Sequence, residues 1–292
     1  MNLIPLDKSW TIRHGVLDLL QGHAPRTLTI LESESVLSDD LTALARALTA
    51  WPQDQPIDIG ESATLYRFLR FAAWWQQREG VFIKRGSLLT RHIHATSEII
   101  HWPLAQLLTL DEGTSQWASA ALLVRGLEAL PENPPHKLAL TAEALKSRES
   151  DGAWQPRKDS TIARQLAALP RLLAGAHEFT PLHSEDYALA RAFDLISAEE
   201  GERRWPQLRT HESDRIRAME EGLAALPLIS SRDHRVVQAL AARGRAAGER
   251  VYVLYPQAVN KAWPQFWDAL AAAEAAATLA FKSDSGGSAL IP

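Results

Sequence analysis

Four clusters of polar and charged residues fall where this chain is expected to start helices. They are Lys8-Ser9-Trp10-Thr11-Ile12-Arg13, Gly60-Glu61-Ser62-Ala63-Thr64-Leu65-Tyr66-Arg67, Gly113-Thr114-Ser115-Gln116 and Ser231-Arg232-Asp233-His234-Arg235. A helix start presents unpaired N–H groups and the positive end of the dipole, so such positions suit phosphate or carboxylate. Added Ser, Thr, Gln, Lys and Arg side chains turn them into anion clamps. Taken singly, each is also explained by capping plus solvated charge. A fifth stretch, Gln207 to Met219, places Glu212 and Arg215 three residues apart on a face shared with Met219. Ile216, Met219 and Leu223 give that helix its buried side. An acid beside an arginine there is either a structural pair or a proton-transfer group held near an anion. Asp186, in His183-Ser184-Glu185-Asp186-Tyr187, is a second candidate acid.

Other chemistries lack their residues. There is no GxGxxG and no GxxxxGK[ST], so dinucleotide and Walker-type sites miss their glycines. Arg91-His92-Ile93-His94 matches a metal pair in spacing alone, without HExxH or cysteine ligands, and no metal or organic cofactor is expected. The chain has no cysteine, which removes disulfides and thiolate nucleophiles together.

The elements that must hold these residues are mostly helical in pattern. Ser38 or Asp39 is placed to cap a helix whose Leu41, Leu44, Leu48 and Trp51 form an apolar stripe, and the prolines of WPQDQP end it. IDIGES reads as a strand with a glycine turn leading into the helix ATLYRFLRFAAWWQQ. A similar alternation recurs at GVFIKRGSLLTRH and DEGTSQWASAALLVRGLEAL. STIARQLAALPRLL, SEDYALARAFDLIS, HESDRIRAMEEGLAAL, SSRDHRVVQALAARG and PQFWDALAAAEAAATLAF read as helices, and ERVYVLY as a strand. The ten tryptophans fall mostly inside helical patterns, which assigns them to packing. This alternation predicts an α/β or α+β fold with a boundary in the polar stretch 146–160.

The 292 residues are 46% hydrophobic and 23% charged, an ordinary globular balance that excludes disorder. A net charge of -4 and a pI near 6.2 speak against nucleic-acid or anionic-membrane partners. Asp7, Lys8, Arg13, His14 and Asp18 interrupt the first twenty residues, which do not read as a signal peptide, and no run reaches bilayer length. A cytoplasmic location is expected.

Several motifs, in order, resemble the EPSP synthase (3-phosphoshikimate 1-carboxyvinyltransferase) family. LDKSWTIR resembles the family's amino-terminal signature, DIGESATLYRFL its glycine-rich motif, SLLTRHI the segment supplying a phosphoenolpyruvate-binding arginine, and GTSQWASAALL its Ser-Ser-Gln motif. THESDRIRAMEEGLAAL resembles its Lys-Glu-Ser-Asp-Arg motif, SRDHRVVQALA its Asp-His-Arg motif, and VYVLYPQAVNKAWPQFWDAL its terminal strand, loop and helix. Thr114, His211 and Ala63 stand where the family has serine, lysine and glycine.

The resemblance implies a two-domain inside-out α/β barrel of the enolpyruvyl transferase type, built from shortened βαβαββ units. Residues 10–153 would form one domain and 1–9 plus 154–292 the other, with the active site in the cleft between them. It implies transfer of the carboxyvinyl group of phosphoenolpyruvate to shikimate 3-phosphate by a monomer of the shikimate pathway. The alternatives are a different phosphorylated acceptor or a non-catalytic anion-binding relative. Asp186, Glu212, Lys8 and Lys261 would be catalytic, Asp186 taking the hydroxyl proton and Glu212 protonating the methylene carbon. Lys8, Ala63, Arg91, Gln116, Arg215, Arg235 and Lys261 would contact phosphoenolpyruvate. Ser9, Arg13, Thr114, Ser115, Gln116, Ser147, Asp186, Gln207 and His211 would face the acceptor.

Overall fold

The computed structural model describes residues 2–22, 26–91, 93–94, 96–110, 115–127, 130–151, 154–209 and 212–285. They divide into two compact units, a first of residues 6–158 and a second of residues 1–5 and 159–292.

In the first unit the helices are α1 (Lys8–Leu20), α2 (Arg26–Ser33), α3 (Asp39–Ala50), α4 (Ala63–Trp75), α5 (Leu104–Leu107), α6 (Gln116–Arg125) and α7 (His136–Asp151). The caps are local and chemical. The Asp7 side chain accepts from the Trp10 amide at the start of α1, and the Ser38 hydroxyl accepts from the Leu41 amide at the start of α3. Strands β1 (Ile57–Gly60) and β2 (Phe82–Lys84) pair in parallel as a two-stranded sheet. The apolar faces of α4 and α6 pack together, with the Trp74 and Trp117 rings stacked 5.6 Å apart at 17°. Phe68, Phe71, Leu44 and Leu122 are fully buried around them.

A buried polar seam crosses this unit. His14 lies flat on Trp154, with centroids 4.5 Å apart and planes 8° apart, and its Nδ1 accepts from Arg148 Nε at 3.1 Å. Arg148 also pairs with Asp18, whose carboxylate accepts from the Thr27 amide at 3.1 Å. Burial first, then the Arg148, Arg157, Arg13 and Arg26 charges, lower the His14 pKa to about 3. The folded state therefore refuses a proton that the unfolded chain takes below its ordinary value near 6.5. Stability is fully present above that value and falls as pH drops towards about 3, by about 1.4 kcal/mol per pH unit once the unfolded imidazole is protonated. Hydrogen exchange of the α1 amides at pH 6 and pH 5 should show this loss in the parent. In His14→Gln, which cannot titrate, the acid-dependent part should vanish. An equal pH dependence in both would refute the assignment.

The second unit contains α8 (Ser160–Leu173), α9 (Tyr187–Ala192), α10 (Ala198–Arg204), α11 (Ser213–Ala225), α12 (His234–Ala246) and α13 (Phe266–Ser285). Its strands β3 (Leu228–Ile229) and β4 (Tyr252–Val253) form a second two-stranded parallel sheet. Helix α13 packs on α8, while α12 packs on α9 and α11. The amino terminus belongs here because Trp263 Nε1 donates to the Leu3 carbonyl at 2.8 Å and the Asp159 amide to the Pro5 carbonyl at 2.9 Å. Met219, Leu240, Val236, Val237, Trp263 and Phe266 form the centre of the core.

The expected inside-out α/β barrel of βαβαββ units is overturned. Among the described residues the sheet amounts to two separate pairs of short strands, and the helices bury their apolar faces mainly against each other. ERVYVLY contributes only Tyr252–Val253 to a strand, and the segment after β2 enters a 3-10 turn over Gly86–Leu89. Strand propensity needs paired neighbours to express itself, and two-stranded sheets cannot close into a barrel.

Candidate functional site

In the first unit most of the singled-out residues are held by their own fold. Lys8 Nζ lies 2.7 Å from Asp40 Oδ2, in the first turn of α3. Arg13 is buried beneath the Phe68 ring with all three nitrogens engaged: Nε donates to Thr141 Oγ1 at 2.7 Å, Nη1 to the Ser9 carbonyl and Nη2 to the Lys137 carbonyl, each at 2.8 Å. Burial lowers its pKa to about 9. Arg67 Nη1 joins the starts of α4 and α6, donating to the Ala63 carbonyl at 3.2 Å and to Gln116 Oε1 at 3.0 Å. Ser115 precedes α6 in the left-handed region at φ 55° and is buried. Ser147 Oγ donates to the Ala144 carbonyl at 2.8 Å, and Arg91 is exposed beyond the 3-10 turn. Thr114 and His92 lie outside the described residues, as does His211 in the second unit.

In the second unit Asp186 is completely buried and both its oxygens are occupied. Oδ2 accepts from Arg164 Nη2 at 2.7 Å and from the Leu182 and His183 amides at 2.9 and 3.1 Å, while Oδ1 accepts from Gln165 Nε2 at 2.9 Å. Four donors make it the anchor of the 3-10 turn Ser184–Asp186 against α8. Glu212 sits at the N-cap of α11 with Oε2 2.9 Å from Arg215 Nη1, a contact at ion-pair distance in which neither atom completes a hydrogen bond. Arg215 Nε also donates to Asp233 Oδ2 at 3.1 Å. Burial alone would lower the Arg215 value, but the Asp233, Glu212 and Glu185 charges outweigh it and raise the value. Burial would likewise raise Asp233, yet Arg215, His234 and the Arg235 and Val236 amides hold it well below the usual carboxylate range. Gln207 lies in the turn Pro206–Arg209, and its carbonyl accepts from the Glu212 amide at 3.0 Å. Lys261 ends the 3-10 turn Pro256–Lys261.

Arg235 is held differently. Asp233 caps α12 by accepting from the Arg235 amide at 2.8 Å and the Val236 amide at 3.4 Å, which fixes the first turn. Arg235 and Gln238 are three residues apart and so share one helix face. That face closes one side of a small cavity of about 10 Å³, room for about one water-sized group. The rest of its wall is mainly apolar: Leu169 from α8, Leu189 from α9, and Trp263 and Phe266 around the start of α13. Arg235 is 7% exposed and Gln238 6% exposed, and both Arg235 Nη1 and Gln238 Nε2 are buried without a hydrogen-bond partner among the described residues. Gln165 and Glu185, which tie this wall to Asp186 and to the Arg215 charge network, line the same cavity.

Arg235 stands out by its helix start, whereas Gln238, Glu185 and Trp263 fall inside quoted stretches without being candidate site residues, and Gln165 lies in a plain helical pattern. The signal for Gln238 is a lone amide in the run Val236-Val237-Gln238-Ala239-Leu240, three residues after an arginine, within the buried stretch 235–242 of the helix. Among the described residues no group of three or more His, Asp or Glu is arranged to hold a metal ion, and no helix is long and apolar enough to cross a membrane.

Among the described residues the predominantly helical architecture lacks the sheets on which an EPSP synthase is built, so the family resemblance is overturned. Carboxyvinyl transfer, the phosphoenolpyruvate and shikimate 3-phosphate substrate pair and the shikimate-pathway role fall with it. The chain matches no family model, no curated protein and no solved structure.

Proposed function

We propose that the second unit is a binding module for small carboxylates, received end-on by Arg235 and Gln238. The observation that carries this reading is a pair of buried donors without partners among the described residues, one of them a guanidinium, in the wall of one small cavity that Gln165 and Glu185 also line. An unpaired buried donor is costly, roughly 1–3 kcal/mol and more when charged, so a site that keeps two is complementary to an acceptor from outside the chain. The cavity admits one oxygen-sized group, which favours a carboxylate end over a phosphate with its three terminal oxygens. Leu169, Leu189, Trp263 and Phe266 line the cavity beside that oxygen, and the remaining atoms of the ligand would stay outside it.

Thermal unfolding with sodium acetate, propionate and butyrate, against sodium chloride at equal ionic strength, tests it. Carboxylates should raise the melting temperature saturably, because a ligand that binds only the folded state stabilises it by mass action. Inorganic phosphate should match chloride. Identical curves for all these salts would exclude carboxylate binding and leave a single ordered water as the occupant.

A further inference from the structure

We propose that a second cleft in the same unit binds a primary alkylammonium group, independently of the carboxylate pocket. It has a volume of about 400 Å³ and is lined by Arg191, Asp194, Leu223, Leu226, Arg243 and Glu249. That volume lies within the roughly 300–1,000 Å³ of small-molecule sites.

The charge in the cleft is decided by which groups are already paired. Arg191 is held bidentately by Glu220, at 2.8 Å from Nε and 2.9 Å from Nη2, and its Nη1 donates to Asp194 Oδ1 at 2.9 Å. Arg243 Nη2 lies 3.2 Å from Asp194 Oδ2. Asp194 thus bridges two arginines, from a left-handed backbone at φ 57° that a non-glycine residue seldom adopts. Glu220 and Asp194 offset the two cations. Glu249, exposed on the cleft wall, has no ion-pair partner among the described residues; the four charged residues of the wall balance by themselves, and it is Glu220, paired with Arg191 from outside the wall, that brings the group to one net negative charge.

The backbone adds to that sign. Leu226 is the C-cap of α11, while Gly244 and Ala247 sit at the end of α12, so two 13-residue helices present their carboxyl ends to this cleft. Helix carboxyl ends favour cations. Gly244 leaves room for the wall itself, since a Cβ added there would collide with Val251 Cγ1. Among the described residues no aromatic ring lines the cleft, which disfavours a quaternary ammonium needing a cation–π cage. A primary ammonium instead offers three N–H donors, which suit a free carboxylate. Its alkyl chain would lie along Leu223 and Leu226.

The test is an NMR titration of the ¹⁵N-labelled full chain with hexylammonium chloride, and in parallel with sodium hexanoate, which has a matched tail and the opposite charge. Hexylammonium should give saturable shifts at residues 191–194, 223–226 and 243–249, and hexanoate should not. Glu249→Gln, at an exposed position, should weaken the effect about tenfold, the size of one charge-assisted hydrogen bond. Ala247→Trp, also exposed, should block the cleft and abolish the shifts while the remaining amide resonances stay in place. Equal shifts with hexanoate, absence of saturable shifts at these residues, or an unchanged response in Glu249→Gln would each overturn the proposal. Shifts centred on Arg235 and Gln238 alone would overturn it too, while leaving the carboxylate pocket to be judged by its own series.

Discussion

Replacing Arg235 by methionine and Gln238 by leucine is expected to abolish carboxylate binding and to leave the second unit as stable as the parent or more so. Both side chains are at least nine-tenths buried, and each carries a donor atom without a partner. Methionine and leucine retain most of the volume beside Trp263 and Phe266 while removing those donors. Deleting an unpaired buried polar group relieves its desolvation cost, so the gain is expected at about 1–3 kcal/mol. Loss of one charge-assisted hydrogen bond to ligand is worth about 1.5–3 kcal/mol, or roughly 10- to 150-fold in affinity. Urea unfolding of the double variant, with and without butyrate, separates the two quantities. A large destabilisation would mean that Arg235 and Gln238 hold the fold, and the site would lose its basis.

Asp186→Ala is expected to act in the opposite sense, as a severe stability defect. Its carboxylate accepts from Arg164, Gln165 and two backbone amides at full burial, so truncation leaves four donors without their acceptor. Breaking a buried, hydrogen-bonded ion pair costs about 3–5 kcal/mol. Arg164 keeps 30% of its side chain exposed, which places the expected loss in the lower half of that range. Asp186→Asn keeps one acceptor oxygen but turns an amide N–H₂ against existing donors, so it should also destabilise the unit. Urea midpoints of both variants check this. A loss below about 1 kcal/mol would remove Asp186 from the anchoring role given to it here.

Helices were the legible part of this chain. Leu41, Leu44, Leu48 and Trp51 read as one stripe and are buried on α3 and the turn after it, and the Ser38 cap is where its residue type places it. The segment STIARQLAALPRLL is α8 from end to end. What failed was the inference from local motifs to a global sheet. Lys8–Arg13, Ala63–Arg67 and Asp233–Arg235 are helix-start chemistry, and the same caps and cations occur wherever a polar turn enters an amphipathic helix. Strand signals failed for a related reason. Tyr252 and Leu254 are both 56% exposed, so the β-prone segment around them never acquired the neighbours a barrel would have supplied.

The candidate site was half legible. Arg235 stands in a recognisable cluster, but its partner Gln238 sits in an apolar run whose periodicity says only that it is buried. The cavity wall comes from α8, α9 and the start of α13, dozens of residues away in sequence, and no spacing rule joins them. The His14–Arg148–Asp18 seam was hidden in the same way, since Arg148 reaches back 134 residues to His14.

The most direct test of the carboxylate pocket is the side-chain amide resonance of Gln238 during titration with butyrate. Nε2 of Gln238 has no partner among the described residues, so a carboxylate oxygen entering the cavity should shift its N–H signals downfield, saturably, with residues 235–239 following. Butylamine should leave that resonance unmoved, and Arg235→Met should abolish the butyrate response. A Gln238 signal unaffected by butyrate up to its solubility limit, or a response unchanged in Arg235→Met, would contradict the claim that these two side chains form a carboxylate site.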